Sequence, residues 1–341
     1  MNWSLRDLTL AALLCLPLAC SHGRVAVARV APPNAPAWPA APAQPLVRFV
    51  GNWPDPEADA AARGWWTRAF DLLAGLDPSR PERALVRPFG VAVRSGSLLV
   101  ADPDERRVLR LDLATGEVNP VVCEGQDWVS PMAVAFGERG EVYVADSGEG
   151  VVARVEGDRC LRIGKGVLER PTGLAVSGQR VYVVDPPRHR VVAFAPTGAE
   201  LSSFGSRGED EGQLNYPTAL AVVPDGSLLV VDSLNFRVVH FSAEGGYLGA
   251  FGSAGDAPGE FARPKAVAIG ERGQIFVSDS SLDQVLAFDG RGSFLYAFGG
   301  SGSGPGQLLM PAGLAAAGRF LYVADSLNGR LAIYELLGDA S

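Results

Sequence analysis

One pattern recurs six times along the chain, and this repeat constrains the fold more than any other feature. Each copy contains a proline, a small residue, an alternating apolar stretch, a turn, and a second apolar stretch that ends in aspartate. Both markers advance by about 40 to 47 residues, a period that predicts an array of similar structural units. The prolines are Pro88, Pro131, Pro171, Pro217, Pro264 and Pro311, and the aspartates are Asp102, Asp146, Asp185, Asp232, Asp279 and Asp325.

The clearest copy has the pattern of four short strands. Alternation predicts an inner strand over residues 217–223 and a second over 228–232, separated by a Pro-Asp-Gly turn. A third strand follows over 237–241, and a fourth over 247–252 after a Gly-Gly turn. Four strands per period make one propeller blade, so the sequence predicts an all-β, six-bladed β-propeller over residues 46–337. The blades start near residues 87, 130, 170, 216, 263 and 310.

The two ends of the propeller should meet in one blade. The last copy ends after its third strand, which would leave an open sheet edge. The apolar residues 46–51 have the pattern of a fourth strand, and we predict that this closing strand pairs with residues 331–336. Residues 52–86 interrupt the pattern, and the i, i+4, i+7 spacing of Trp65, Ala69 and Leu72 predicts an inserted helix there, on the upper face or the nearby outer wall.

Longer motifs connect the later copies. Phe-Gly-Ser at residues 204–206 leads to Gly-Gln-Leu at 212–214 and a proline, and similar motifs follow from residues 251 and 298. An Asp-Ser-Leu-Asn-x-Arg turn occurs at residues 232–237 and 325–330. These motifs closely resemble the NHL repeat family, and the resemblance covers about three quarters of the chain. It implies a six-bladed propeller of the kind found in bacterial NHL-repeat lipoproteins.

The N-terminus has the pattern of an export signal. Arg6 precedes an apolar run over residues 8–18, which is too short to span a bilayer, so residues 1–20 are predicted to be a signal peptide. The sequence Leu-Pro-Leu-Ala before Cys20 resembles a bacterial lipobox, which implies lipidation of Cys20, and Ser21 resembles the outer-membrane sorting pattern. Residues 21–45 are rich in Ala and Pro and predict an extended tether. We therefore expect a lipid-anchored outer-membrane protein facing the periplasm; the alternative is a soluble periplasmic or secreted protein.

Charge and composition weigh against several ligand classes. A net charge of −8 and a pI near 5.1 oppose binding to nucleic acid or anionic membrane. The histidines and cysteines lack C-x-x-C or H-x-x-x-H spacing, so neither a metal site nor another cofactor is predicted, and we expect a monomer. These residues are His22, His189, His240, Cys15, Cys20, Cys123 and Cys160. Export makes a disulfide between Cys123 and Cys160 feasible, but their offsets within consecutive blades differ, so the sequence leaves their pairing open.

The loops between blades and the turns between second and third strands share one face, here called the upper face. The repeated aspartates on it are attributed to the scaffold, because such carboxylates accept backbone N–H groups and pair with an arginine five residues later. Residues that differ between blades at repeated positions are better candidates for binding. The residues before the prolines are Arg87, Ser130, Arg170, Tyr216, Arg263 and Met310, and Phe89, Met132 and Lys265 follow prolines.

We predict a ligand site formed by Arg87, Phe89, Arg170, Tyr216, Arg263 and Lys265. Around the axial opening these side chains would form a basic and aromatic mouth suited to a carboxylate, a phosphate or an acidic peptide. The alternative is that each arginine pairs with an acid of a neighbouring blade.

The predicted function is a non-catalytic binding or scaffold module of the bacterial cell envelope, with a protein, a peptide or a small anionic ligand as its partner. No catalytic residue is predicted. The alternative is an enzyme, since related propellers include metal-dependent lyases and lactonases. Their sites use His, or Glu, Asn and Asp, in the channel, whereas the inner strands here carry Val, Ala, Leu and Gly. Overall acidity also disfavours RNA binding, which is known for some NHL domains.

Overall fold

The computed structural model describes residues 31–40, 42–54 and 85–338. Its strands form six antiparallel sheets arranged as the blades of a propeller, which confirms the predicted fold class. In each complete repeat, turns with glycine or other left-handed residues reverse the chain between short β-branched stretches, so the sheets build up locally. Residues 55–84, which include most of the predicted helical insertion, lie outside the described residues.

Two N-terminal strands precede the first blade, and four strands then make each blade in turn. The N-terminal strands are β1 (Ala37–Trp38) and β2 (Val47–Trp53). Blade 1 contains β3 (Val91–Arg94), β4 (Ser97–Asp102), β5 (Arg107–Asp112) and β6 (Val118–Pro120). Blade 2 contains β7 (Pro131–Phe136), β8 (Val142–Asp146), β9 (Val151–Glu156) and β10 (Arg159–Ile163). Blade 3 contains β11 (Gly173–Ser177), β12 (Arg180–Asp185), β13 (Arg190–Phe194) and β14 (Glu200–Phe204).

The second half of the ring follows the same order. Blade 4 contains β15 (Pro217–Val222), β16 (Leu228–Asp232), β17 (Arg237–Phe241) and β18 (Tyr247–Phe251). Blade 5 contains β19 (Pro264–Ile269), β20 (Ile275–Asp279), β21 (Gln284–Phe288) and β22 (Phe294–Gly299). Blade 6 contains β23 (Pro311–Ala317), β24 (Phe320–Asp325) and β25 (Arg330–Leu336), and β2 is its fourth strand. Short 3-10 turns at Pro186–Arg188 and Ser233–Asn235 join the second and third strands of blades 3 and 4.

The core lies between the blades. Six apolar clusters each combine residues of two adjacent sheets, including one that joins blade 6 to blade 1. Among the second strands, β8 and β16 are buried at every position because a neighbouring blade covers each of their faces. Close approach of the inner strands explains their small residues. A Cβ atom added to Gly90 would lie 2.5 Å from the Met132 carbonyl oxygen of the next blade.

Strand β2 closes the ring by pairing antiparallel with β25, from Val47 opposite Leu336 to Trp53 opposite Leu331. This pairing confirms the predicted closure. Phe49 packs edge-on against Tyr334 at a centroid distance of 5.8 Å, and Arg48 forms a salt bridge of 2.5 Å with Glu335.

The strand is longer than its sequence pattern predicts. Asn52 and Trp53, which we assigned to the insertion, belong to β2. Trp53 is fully buried in the cluster between blades 6 and 1, so its apolar surface holds this end of the strand in the sheet.

The predicted tether also contributes to the sheet. Ala37 and Trp38 form β1, which pairs with β2, so part of the segment 21–45 adds a fifth strand to blade 6. Trp38 packs against Phe298 and Tyr334, with ring centroids 6.1 and 6.0 Å away. The composition of the segment predicted an extended chain, but it did not account for the apolar surface that one tryptophan buries.

A disulfide joins blades 1 and 2. Cys123 and Cys160 are bonded, with their Cα atoms 5.7 Å apart, so the different offsets of the two residues are compatible with a bridge. Across the ranges that the structure describes, no helix is long and apolar enough to cross a membrane.

Replacing Phe49 by Ala should destabilise the whole propeller, because the residue lies at the point of ring closure. We expect a loss of about 3–5 kcal/mol in the free energy of unfolding, as is typical when a buried phenylalanine is truncated. Leu248→Ala is the matched control, since Leu248 lies in the outer strand β18 and is 56 % exposed. This control should change stability by less than about 0.5 kcal/mol. Urea unfolding followed by tryptophan fluorescence measures both, and equal losses would contradict the closure argument.

Candidate functional site

The six repeated aspartates are scaffold residues. All are buried, and their carboxylates accept backbone N–H groups from the loop that enters the inner strand of the same blade. Asp279, for example, accepts from the N–H groups of Ala262 and Arg263, both at 2.8 Å. Asp232 accepts from the Arg237 guanidinium at 2.9 Å, as predicted for an arginine five residues later. These contacts hold the upper-face loops in place.

Burial determines the titration of two of these carboxylates. Desolvation raises the pKa of Asp232 and Asp325 above the usual range, and hydrogen bonds only partly offset it. Their lone pairs are committed to the protein, so they do not offer a ligand site.

Four of the six predicted binding residues lie outside the channel. Arg87, Arg170, Arg263 and Tyr216 are exposed on the upper face, and their backbone N–H groups bind within the turns. Within the described ranges, none of the three arginine side chains forms an ion pair, so the alternative of pairing with a neighbouring blade is not what the structure shows. The N–H of Tyr216 donates to Nδ1 of His189 at 3.1 Å, which gives His189 a structural role.

The axial channel opens on the upper face through a ring of six side chains, here called the mouth ring. Each member directly follows the repeated proline of one blade, and all six line a cavity of about 90 Å³. Below them, an aliphatic layer that includes Leu174 and Leu220 narrows the channel. The mouth ring consists of Phe89, Met132, Thr172, Thr218, Lys265 and Ala312. The structure therefore places two of the predicted binding residues, Phe89 and Lys265, at one cavity.

Two threonines of the mouth ring were missed by sequence reasoning. The Thr172 hydroxyl donates to the Thr218 carbonyl at 2.9 Å, and the Thr218 hydroxyl donates to the Lys265 carbonyl at 2.8 Å. These bonds join blades 3, 4 and 5 around the channel. The signal that could have identified them is their position, since they follow their prolines just as Phe89 and Lys265 do.

Lys265 is the one charged member of the mouth ring. It is half-buried, and within the described residues its ammonium group makes no hydrogen bond or ion pair. Burial lowers the pKa of Lys265, the positive charge of Arg263 lowers it further, and Asp279 opposes both effects. Asp279 lacks the usual arginine, because Gln284 stands opposite it.

We also searched the described residues for metal-ligand clusters and for catalytic triads. Across the described ranges, no three His, Cys, Asp or Glu side chains are grouped as metal ligands. On the face opposite the upper face, Nε2 of His240 lies 2.7 Å from Oγ of Ser227. The Asp225 carboxylate accepts from the same Ser227 hydroxyl at 2.5 Å and not from His240, unlike the aspartate of a Ser-His-Asp triad. These residues stabilise the turn between β15 and β16.

Comparison with known proteins agrees with this architecture. Residues 214–241 match the NHL repeat family. The chain is a six-bladed β-propeller with an NHL repeat in blade 4. No curated protein sequence matches the chain.

Solved structures share its fold at low sequence identity. Virginiamycin B lyase from Staphylococcus aureus is 12 % identical with a TM-score of 0.56, over 74 % of this chain and 98 % of that chain. A gluconolactonase from Xanthomonas campestris is 19 % identical with a TM-score of 0.57, over 74 % and 87 %. A protein of unknown function from Bacteroides thetaiotaomicron is 18 % identical with a TM-score of 0.59, over 75 % and 70 %. At these identities the similarity shows the fold alone.

Replacing Lys265 by Met should leave the propeller at least as stable at pH 7. A lysine with a lowered pKa in the folded state binds fewer protons there than in the unfolded chain. The stability of the wild type should therefore rise with pH between the lowered pKa and the ordinary lysine value of about 10.4, so the gap to Lys265→Met should narrow over this window. Urea unfolding at a series of pH values measures this difference.

The control is Lys165→Met, because Lys165 is the other of the two lysines in the chain and lies exposed in a loop. This control should change stability by less than about 0.5 kcal/mol. A marked loss of stability in Lys265→Met alone at pH 7 would mean that the ammonium stabilises Asp279, in place of the arginine that blade 5 lacks.

Proposed function

We propose that this protein is a binding module whose upper face receives an anionic group of a protein, a peptide or a small ligand. The observation that carries the proposal is a set of cations on that face that form no ion pair with any described residue. Arg87, Arg170 and Arg263 come from alternate blades, and each lies two residues before the mouth-ring residue of its blade. Guanidinium groups free of internal partners are suited to carboxylates and phosphates, which they bind through two parallel hydrogen bonds.

The cations of the upper face contrast with the negative net charge of the chain. The chain carries a net charge of −8, yet three arginines and a lysine without ion pairs in the described ranges lie on one face. Because these cations lack internal ion pairs, their charge is available to attract an anionic group that approaches from that side.

A metal-dependent lyase or lactonase is the second candidate, and the similarity to virginiamycin B lyase and to a gluconolactonase favours it. The channel lining supports binding over such chemistry. The described residues that line it are apolar residues, glycines, two threonines and one lysine, and none of them has an imidazole or carboxylate group that could hold a catalytic metal. Calcium or zinc bound stoichiometrically by purified protein would favour the enzyme.

Removal of the three upper-face arginines should weaken binding of an acidic peptide. With a fluorescent hexaglutamate probe at low salt, we expect Arg87→Ala/Arg170→Ala/Arg263→Ala to reduce affinity about 10-fold, since exposed pairs contribute modestly and together. Raising the salt concentration to about 0.5 M should reduce the difference, because exposed charges are screened. Fluorescence anisotropy measures both effects.

A triple variant on the opposite face is the matched control. Arg139, Arg159 and Arg291 are exposed at turns there, so their replacement by Ala removes the same charge from the other side. Equal losses of affinity in both variants would show that net charge, and not the upper face, governs binding.

We further propose that the module works in the bacterial cell envelope, anchored to the outer membrane through Cys20 and facing the periplasm. The lipobox-like sequence before Cys20 supports this proposal, and residues 1–30 lie outside the described part of the chain. The alternative is a soluble periplasmic or secreted protein.

Cys20→Ser should move the protein out of the membrane fraction. Lipidation requires the cysteine thiol, and without an acyl anchor the acidic propeller has no comparable attraction to an anionic bilayer. Fractionation of a Gram-negative host followed by immunoblotting measures the distribution. The control is Cys15→Ser, which changes the apolar run but leaves Cys20 intact. Membrane association that survives Cys20→Ser would contradict the lipid anchor.

A further inference from the structure

We propose that the mouth ring is a receptor for a small terminal carboxylate, with Lys265 binding the carboxylate and with Phe89 and Met132 contacting the alkyl part attached to it. The inference rests on the proposed function and narrows it, because it assigns the chemical class of the group that enters the channel.

The first observation is an uncompensated cation. Lys265 lines the cavity, and its ammonium group makes no hydrogen bond or ion pair with the described part of the protein. The nearest acid that affects it, Asp279, already accepts four backbone N–H groups, from residues 262, 263, 281 and 282. A half-buried ammonium without a partner is costly to the fold, and an anionic ligand would supply the missing interaction.

The second observation is the asymmetry of the mouth ring. The inner strands contact one another in the order of the blades, so blade 5 lies across the channel from blade 2. Lys265 therefore stands opposite Met132, with Phe89 beside Met132 in blade 1. One side of the opening is charged and the other is apolar. This arrangement fits a ligand with an anionic group next to an alkyl group.

The third observation is the size of the cavity. Its volume is about 90 Å³, which is small. Aliphatic residues such as Val267 and Leu314 line it below the mouth ring. A carboxylate with a short alkyl group suits this small, partly apolar space.

The available donors favour a carboxylate over a phosphate. The hydroxyl protons of Thr172 and Thr218 are already donated to carbonyl oxygens of neighbouring blades. Among the side chains of the mouth ring, the ammonium of Lys265 thus supplies the free donors, which suits the two oxygens of a monoanionic carboxylate. A dianionic phosphate is often held by a guanidinium fork, and no arginine is among the residues that line this cavity.

Two sources present this chemistry. One is the C-terminus of a peptide, whose last side chain would contact Phe89 while preceding acidic residues reach the upper-face arginines. The other is a free short-chain carboxylic acid. Both place the same carboxylate on Lys265, and the experiment separates them.

The test uses butyrate and a peptide ending in Glu-Glu-Ala-Val, each compared with its neutral amide, and inorganic phosphate. Binding is measured by calorimetry and by NMR shifts of the Lys265 side chain. We expect Lys265→Met to weaken butyrate or free-acid peptide by at least about 10-fold, as is typical when a charge-assisted hydrogen bond is lost. Lys165→Met should bind as the wild type does, and Phe89→Ala should weaken butyrate more than acetate.

The outcomes are distinct. A free-acid peptide that binds much more tightly than its amide supports the peptide terminus, whereas tight butyrate binding with equal affinity for the two peptides supports a free acid. Binding of butyramide or phosphate as strong as that of butyrate, or unchanged affinity in Lys265→Met, would overturn the proposal. If hexaglutamate binding still depends on Arg87, Arg170 and Arg263, the proposed function stands although the carboxylate receptor fails. Thermal unfolding of each variant confirms that it is folded.

Discussion

Burial of both faces of every sheet is the constraint on which this structure depends. A four-stranded sheet with apolar residues on both sides is covered only if a neighbour packs on each side, so the array has to close into a ring. Strand β2 makes this closure possible by completing blade 6 on the outer side of β25. Trp53 and Phe49 then fill the cores on either side of that blade. The ends of the propeller thus stabilise each other through side-chain packing as well as through backbone hydrogen bonds.

The repeated polar residues serve this scaffold. Each buried aspartate accepts hydrogen bonds from loop N–H groups that would otherwise bind water. Serines that directly follow several of these aspartates form hydrogen bonds with the next blade. Oγ of Ser326, for example, donates to the Pro88 carbonyl at 2.6 Å and joins blade 6 to blade 1. Because the scaffold uses these groups fully, chemistry available to a ligand is left to positions where the blades differ.

The mouth ring combines both kinds of position. Thr172 and Thr218 donate their hydroxyl groups to carbonyl groups of adjacent blades, whereas the ammonium of Lys265, at the equivalent site of blade 5, forms no hydrogen bond with a described residue. A side chain that costs the fold stability and makes no compensating internal contact is typical of residues kept for binding. The proposed function and the carboxylate receptor both derive from this contrast between satisfied and unsatisfied polar groups.

The sequence by itself determined the blade number, the order of the strands, the role of the aspartates and the closing strand. This information lies in the alternation of apolar residues, in the turn residues and in the repeat period. These signals can be read within one repeat or by comparing one repeat with the next. Only the tertiary structure decided which candidate residues meet. The residues before the prolines precede the inner strands, so Arg87, Arg170 and Arg263 lie in loops, whereas the residues after the prolines belong to the channel wall. Strand β1, the extent of β2 and the Cys123–Cys160 disulfide were likewise settled by packing between elements distant in the chain, which a local pattern does not encode.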